Sequence, residues 1–412
     1  MKKNDSLSPR KLAWIRLKKN RLSLFGLYVI VFFVIVSILG YLIMPDRSPN
    51  ANNVQPELSL KEPGFEVMMI KSRLNTPEPD QSWIDIMLNG QKQMFELEPI
   101  HHYEFSDADV IISLYTGSTE KNYRNAVSKR YNLADVIFSV EKPTLKVNER
   151  NRSVTFYDLD IKKTKNYSFK ELREIFQKEH VIQKKFYLGT DKSGRDLLSR
   201  LIIGTRISLA VGFISVFISL FLGVLLGSLA GFFRGWVDES ILWLINVMWS
   251  LPTLLLVVAL TFALGKGFWQ VFIAVGLTMW VDCARMVRGQ ILSIREKEFV
   301  EAGKALGFSN FRIISRHILP SLAGQVIVIS ASNFATSIIT EASLSFLGFG
   351  AQPPMVSWGK MIRDHINYID NPDTVYLTIV PGVAIMLLVL AFLLLGNGLR
   401  DALDTKTEII TA

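Results

Sequence analysis

The sequence predicts a polytopic α-helical membrane protein with six transmembrane helices and one α+β domain inserted after the first. Three observations carry this reading. Hydrophobic residues make up 49% of the chain against 20% charged, and the mean hydropathy is positive at +0.27, too apolar for a simple soluble enzyme. Six runs are long and apolar enough to cross a bilayer as helices: 22–44, 207–233, 241–264, 268–284, 325–345 and 376–395. The one long polar stretch, 46–188, holds 21 basic and 21 acidic residues and must fold in water.

The chain opens with a basic segment, 1–21, in which Lys2, Lys3, Arg10, Lys11, Arg16, Lys18, Lys19 and Arg21 face a single acid, Asp5. Positive charge beside a first span marks the cytoplasmic side, so the N-terminus is expected there. The run 22–44 is longer than the apolar core of a signal peptide, and no A-x-A-like site follows Met44, so it is expected to be retained. Six spans return the tail, 405–412, to the same side. The formal net charge of +9 tests this topology, because the segments it assigns to the cytoplasm account for all of it. The basic pI is thus a topology signal, and no nucleic-acid partner is required to explain it.

In the stretch 46–188, the Pro-, Asn- and Ser-rich start through Pro63 reads as linker. Alternating patterns at 65–70, 94–100, 110–115, 134–140 and 154–161 read as strands. Ser168 and Glu171 have the spacing of a capping box, and Leu172, Ile175 and Phe176 give the helix that follows one apolar face. These elements predict an α+β domain of about 120 residues. Its histidines His101 and His102 would point to opposite faces of a strand, and without a clear third ligand they read as surface residues rather than metal ligands. The only cysteine, Cys283, lies inside a predicted span, so no intrachain disulfide is possible.

The segment 189–206 begins as a polar turn and becomes an amphipathic stretch suited to a membrane interface, with Asp191 placed to cap it. In 207–233, Gly223, Gly227 and Gly231, followed by Gly235, recur every fourth residue. This is one face along which a neighbouring helix can approach closely, and packing alone accounts for it. Pro252 predicts a kink in 241–264. Between 268–284 and 325–345 lies a polar, basic loop, 285–322. Glu301 to Leu306 suits a short helix, Gly307 a left-handed stop, and Ser309 the cap of a second helix that Pro320 ends. Its small residues Ala302, Gly303 and Gly307 would admit another protein's backbone, although the same composition also fits an ordinary cytoplasmic loop. In 325–345, Glu341 is the only carboxylate well inside a predicted span, so it must face other helices or water. It is a candidate both for lining a pathway and for anchoring a structural hydrogen bond.

Glu301-Ala302-Gly303, Gly307, His317 and Leu319-Pro320 at this separation resemble the EAA coupling loop of ABC-importer permeases. Gly303 stands where alanine is usual, and histidine at 317 resembles the peptide-importer branch. The wording G-T-D-K-S-G-R-D-L-L-S-R from Gly189 to Arg200 is similar to a signature of the C-type subunit of dipeptide and oligopeptide importers. E-A-S-L-S-F-L-G from Glu341 and the exit from the last span through Asp404 resemble the same branch, with Leu393 and Asn397 in place of an expected asparagine and aspartate. The resemblance covers the first span and everything from about Leu188, but not the inserted domain.

What the resemblance implies is a type I ABC-importer permease core, 207–404, without catalytic, cofactor or metal residues of its own. Consistent with this, no G-x-x-x-x-G-K-[S/T] phosphate-binding loop occurs in the chain. The implied partners are a second, B-type permease, two cytoplasmic ATPase subunits that bind ATP and Mg, and an extracytoplasmic substrate-binding protein, assembled in a bacterial inner membrane with both termini of this chain cytoplasmic. The implied cargo is a di- or oligopeptide, with nickel complexes, opines or antimicrobial peptides as alternatives within the family. A membrane-anchored sensor or adhesion protein would leave the extra spans unexplained, and an ion-coupled carrier would show more buried charge.

Overall fold

A computed structural model of the chain describes residues 9–117, 127–265 and 268–403; the expected tail 405–412, Asp404 and the first residues of the basic segment lie outside the described residues. The chain divides into two compact units. One contains Met1–Ser37, Gly204–Asn367 and Thr378–Ala412, and the other Ile38–Ile203 with Tyr368–Leu377. The basic N-terminal segment is helical over α1 (Pro9–Lys19), and Asn20 then caps α2 (Arg21–Ile43) by accepting from the Leu22 and Ser23 N–H groups at 3.1 and 3.2 Å.

The inserted domain runs β1 (Phe65–Arg73), α3 (Trp83–Asn89), β2 (Phe95–Ser106), β3 (Asp109–Leu114), β4 (Ser128–Asn132), α4 (Leu133–Ile137), β5 (Lys146–Asn148), β6 (Ser153–Asp158), β7 (Lys163–Ser168), α5 (Phe169–Ile175) and β8 (Val181–Phe186). The strands form an antiparallel sheet of order β4-β3-β2-β1-β8 and a smaller one of order β5-β6-β7. Alternation on β6 sends Val154 and Phe156 into a core shared with Ile112, Leu172 and Phe176. Both halves of the Ser168–Glu171 capping box are made. The strand expected at 134–140 is instead helix α4. Asn132 accepts from the Ala134 N–H at 3.1 Å, and this cap, with Leu133, Val136 and Ile137 buried along one face, overrides the β propensity of the valine and isoleucine.

Residues 46–63 are not a loose linker. Two short 3₁₀ turns, Pro49–Ala51 and Pro56–Leu58, bury Ala51 and Leu58, and backbone hydrogen bonds join Gln55 to Ser193, Leu60 to Asp191 and Thr190 to Lys61. The inserted sheet closes where Phe65 pairs with Phe186. Asp191 is buried and accepts from the N–H groups of Ser193 and Arg195 and from Arg195 Nε at 2.8 Å, so it shapes this turn rather than capping a helix. The cap of the next helix is Asp196, which accepts from the Ser199 N–H at 2.9 Å and whose carboxyl burial pushes above the ordinary range. The His101 ring lies tilted against Tyr115, 4.8 Å between centroids, and His102 lies 3.6 Å from Glu104. Among the described residues no group of three His, Cys, Asp or Glu side chains could hold a metal.

The helical part continues with α6 (Leu197–Phe233), α7 (Gly235–Ser250), α8 (Thr253–Leu264), α9 (Phe268–Ile294), α10 (Glu298–Ala305), α11 (Asn310–Ile313), α12 (Leu319–Leu347), α13 (Trp358–His365) and α14 (Tyr376–Leu403). Five of the described spans are long and apolar enough to cross a membrane, and six if α7 and α8 count as one, since these two meet at 99°. That break replaces the kink expected in 241–264. Proline disfavours helical backbone in the residue before it, and Leu251 is extended, at φ −100° and ψ 136°. The interfacial segment 189–206 is likewise divided, because residues from Leu197 onward already belong to α6.

Three of the four spaced glycines form a seam. A Cβ at Gly223 would lie 2.5 Å from Cys283 Cβ, at Gly227 2.9 Å from Val287 Cβ and 2.5 Å from the Ala284 carbonyl oxygen, and at Gly231 2.9 Å from Ile291 Cβ. Spacing by four on α6 thus matches spacing by four on α9, and only glycine allows the approach. Gly235 is not part of it. After Arg234 the chain turns, and Gly235 starts α7 at φ +55° with no atom within reach of a Cβ. Polar ties sit beside this seam: Ser215 donates to the Phe272 carbonyl, Ser219 to the Met279 carbonyl, and Asn333 Nδ2 to Ser219 Oγ at 3.0 Å, linking α6, α9 and α12.

Candidate functional site

The loop expected at 285–322 is shorter at both ends. No proline stands between Ala284 and Ile294 and the lone Gly289 is tolerated within a helix, so α9 continues to Ile294, and α12 begins at Leu319 after the single π turn Ile314–Ile318 that follows α11. Pro320 therefore opens a long helix instead of ending a short one. Ile318 and Leu319 before it are already helical, and its missing N–H falls directly after the π turn, the kind of local irregularity at which a helical stretch such as Asn310–Leu347 carries a proline.

Between these helices, α10 and α11 form a compact corner. Val300 and Ile313 are buried with Val287, Ile291, Ile318 and Leu322, and Gly303 lies on the same inner side. Gly307 takes the left-handed conformation at φ +77° and donates to the Lys304 carbonyl at 2.9 Å. Ser309 then accepts from the Arg312 N–H. Phe308 has His317 stacked at 5.8 Å between ring centroids and the Arg312 guanidinium 4.2 Å from its centroid. The base is braced by Arg234 on Glu296 at 2.7 Å, by Arg288 on Asp238 at 2.5 and 2.7 Å, and by Arg295 on the Phe232 carbonyl.

The outer side carries Glu301, Ala302, Gly307, His317 and Pro320, all exposed, whereas Gly303 faces inward and Leu319 is half-buried. It also carries two apolar residues that the motif does not include, Leu306 at 73% and Phe311 at 81% exposure. A phenylalanine and a leucine this bare on a polar corner are candidates for a partner's surface. Their signal in the sequence is weak, because Leu306 and Phe311 stand close to Phe308 and Ile313, apolar residues that turn inward, and nothing in residue order tells the two sets apart.

Glu341 is 2% exposed. Its Oε1 accepts from Ser345 Oγ at 2.6 Å, Ser345 Oγ in turn lies 3.0 Å from Ser357 Oγ, and its Oε2 has no hydrogen-bond partner among the described residues. These contacts tie α12 to the start of α13. Glu341 does not line the cavity of about 360 Å³ enclosed by α7, α8, α9 and α12, which holds a different carboxylate, Asp282. With α9 running on to Ile294, Asp282 sits near the middle of a span, so Glu341 is not the only carboxylate well inside one.

Residues 223–409 match the family of binding-protein-dependent transport system inner membrane components, and residues 8–59 match the N-terminal transmembrane domain of oligopeptide transport permease C. Among curated proteins, the chain is 43% identical over 222 residues to the glutathione transport system permease protein GsiD of Pectobacterium atrosepticum, covering 54% of this chain and 73% of that protein. It is 42% identical over 223 residues to the dipeptide transport system permease protein DppC of Alkalihalophilus pseudofirmus, covering 54% and 72%. Among solved structures, an inward-facing form of the MetNI methionine ABC transporter aligns with a TM-score of 0.42 at 20% identity, over 50% of this chain and 96% of that one.

Proposed function

The chain belongs to the family of binding-protein-dependent transport system inner membrane components, and on that premise we propose that it moves di- or oligopeptides inward and takes its driving force at the α10–α11 corner. It is a multi-pass inner-membrane permease subunit of an ABC importer. The peptide cargo rests on relatives whose names are glutathione and dipeptide permeases. The observation that carries the coupling role is the two-sided corner, with Val300, Gly303 and Ile313 packed on α9 and α12 and with Glu301, Leu306 and Phe311 left bare outside.

In this reading both termini are cytoplasmic, ATP and Mg are bound by two partner ATPases, and a B-type permease and an external binding protein complete the assembly. Closure of the ATPases on ATP would push the corner. Its buried underside, braced on Asp238 and Glu296, would pass that movement to α9 and α12 and so alternate the exposure of a central pathway. Glu341 then serves as a hydrogen-bonded anchor for the start of α13. Copurification tests the assembly: ATPase subunits expressed from neighbouring genes should remain bound to this chain, and the purified complex in vesicles should take up labelled peptide only with MgATP. An ATP-independent uptake would sink the reading.

For the inserted sheet domain, neutral overall, contact with the binding protein or partner permease is the role its size and placement after the first span motivate. The paired residues Phe65 and Phe186 mark where it can be excised. Removing 65–186 and joining Gly64 to Tyr187 keeps the packed segments 46–63 and 188–200. Uptake is expected to fall with the ATPases still bound, and undiminished uptake would remove this role.

A further inference from the structure

Asp282 is a carboxylate placed where hydrocarbon would surround an ordinary helix. It is exposed on α9, roughly 20 Å along the axis from Phe268 at 1.5 Å rise per residue. Among the described residues it makes no ion pair or hydrogen bond. Arg285, one turn further on, holds its guanidinium 3.7 Å from the centre of the Trp249 ring rather than against the carboxylate. A charge left facing lipid is strongly unfavourable, so this face of α9 must meet water or a cation during the working cycle.

The cavity around it holds hydroxyl and amide groups beside the carboxylate. Thr278 Oγ1 donates to the Val275 carbonyl at 2.9 Å, Thr336 Oγ1 to the Ser332 carbonyl at 3.1 Å, and Asn333 Nδ2 to Ser219. The two threonine hydroxyls have therefore spent their only proton on the backbone and keep acceptor lone pairs alone, whereas the Asn333 amide keeps one N–H beside its carbonyl oxygen; all three residues line the space that Asp282 shares. No Lys, Arg or His lines the cavity, and Asp282 is its one titratable side chain among the described residues. One carboxylate without a cationic side chain beside it, flanked by two hydroxyls that can only accept, suits a group that donates hydrogen bonds and carries positive charge, and an ammonium is such a group. At about 360 Å³, with Trp249 and Leu256 supplying apolar wall, the space accommodates a small organic ligand.

We propose that Asp282, with Thr278, Asn333 and Thr336, receives the N-terminal ammonium of the peptide as it crosses, and so sets a requirement for a free amino end. This rests on the peptide-importer reading above. The cavity opens between helices that the α10–α11 corner braces, so its exposure would change with the ATPase cycle.

The test uses the whole complex in vesicles, with a dipeptide whose α-amine titrates near pH 7.7–8.0. Uptake is compared between wild type and Asp282→Asn at pH 7 and pH 9. The wild-type to variant ratio, in which effects of pH on the binding protein cancel, is expected to be about ten at pH 7 and to approach one at pH 9. A ratio that does not change with pH means that Asp282 acts on something other than the cargo amine, and overturns the inference. Should Asp282→Asn fail to assemble, Asp282→Glu decides. Retained uptake with the wild-type pH slope supports the inference, and an assembled complex without uptake overturns it. A wild-type complex that takes up no peptide at either pH removes the peptide reading and this inference together, whereas a transporting wild type with a flat ratio removes only the inference.

Discussion

Phe311→Asp, and separately Glu301→Lys, is expected to lower ATP-driven uptake at least ten-fold while the permease itself remains folded. Phe311 is 81% exposed and Leu306 73%, on a corner whose inner side is fully packed. Burying a phenylalanine side chain in a partner contributes about 1.5–3 kcal/mol, and a loss of about 1.4 kcal/mol is already ten-fold in an equilibrium constant. Placing a carboxylate there adds the cost of desolvating a charge. Glu301 lies in the first turn of α10, where a negative charge complements the helix dipole, so reversing it perturbs both the helix end and the outer surface. Gly303→Ala is the internal control. Its Cβ would meet Phe308 at 3.6 Å, an ordinary contact, and more than half of the uptake should remain. Uptake and ATPase stimulation unchanged in both charged variants would remove the corner from the coupling path.

Gly227→Leu is expected to destabilise the helical core by about 1–3 kcal/mol or more, as overpacking does, and to lower the melting temperature of the detergent-purified protein. The first side-chain carbon alone would stand 2.5 Å from the Ala284 carbonyl oxygen and 2.9 Å from Val287 Cβ, so α6 and α9 must separate. In a membrane no hydrophobic force draws helices together, and lost close contact is not replaced by burial elsewhere. Gly382→Ala, at a position in α14 where a Cβ meets nothing within 4 Å, should melt with the wild type or slightly above it. If Gly227→Leu also melts with the wild type, the seam does not hold these helices.

Much of this was legible from residue order. Apolar runs located the spans because a bilayer demands length, and the Gly307 stop and Ser309 cap were readable because each is a local backbone requirement met within a few residues. The Ser168–Glu171 box was found for the same reason. The errors share a different cause. Val136 and Ile137 favour a strand by local propensity, and only the cap at Asn132 and the burial of one face make α4 a helix; a proline that belongs to a helix and one that follows a helix likewise look alike without the hydrogen bonds, as at Pro320. Gly235 continued the spacing of the seam although the helix had already ended at Phe233.

By itself the sequence determined the family, the spans and a corner of two short helices between the last stretches of the core, since hydropathy and short motifs are properties of neighbouring residues. Only the tertiary structure decided which side of that corner is bare. It also decided that Gly223, Gly227 and Gly231 meet Cys283, Ala284 and Ile291, and that Asp282 shares a cavity with Asn333 and Thr336 while Glu341 does not. Those facts depend on helices far apart in the chain packing at close range, and a residue's neighbours across such a contact are set by the fold rather than by its place in the sequence.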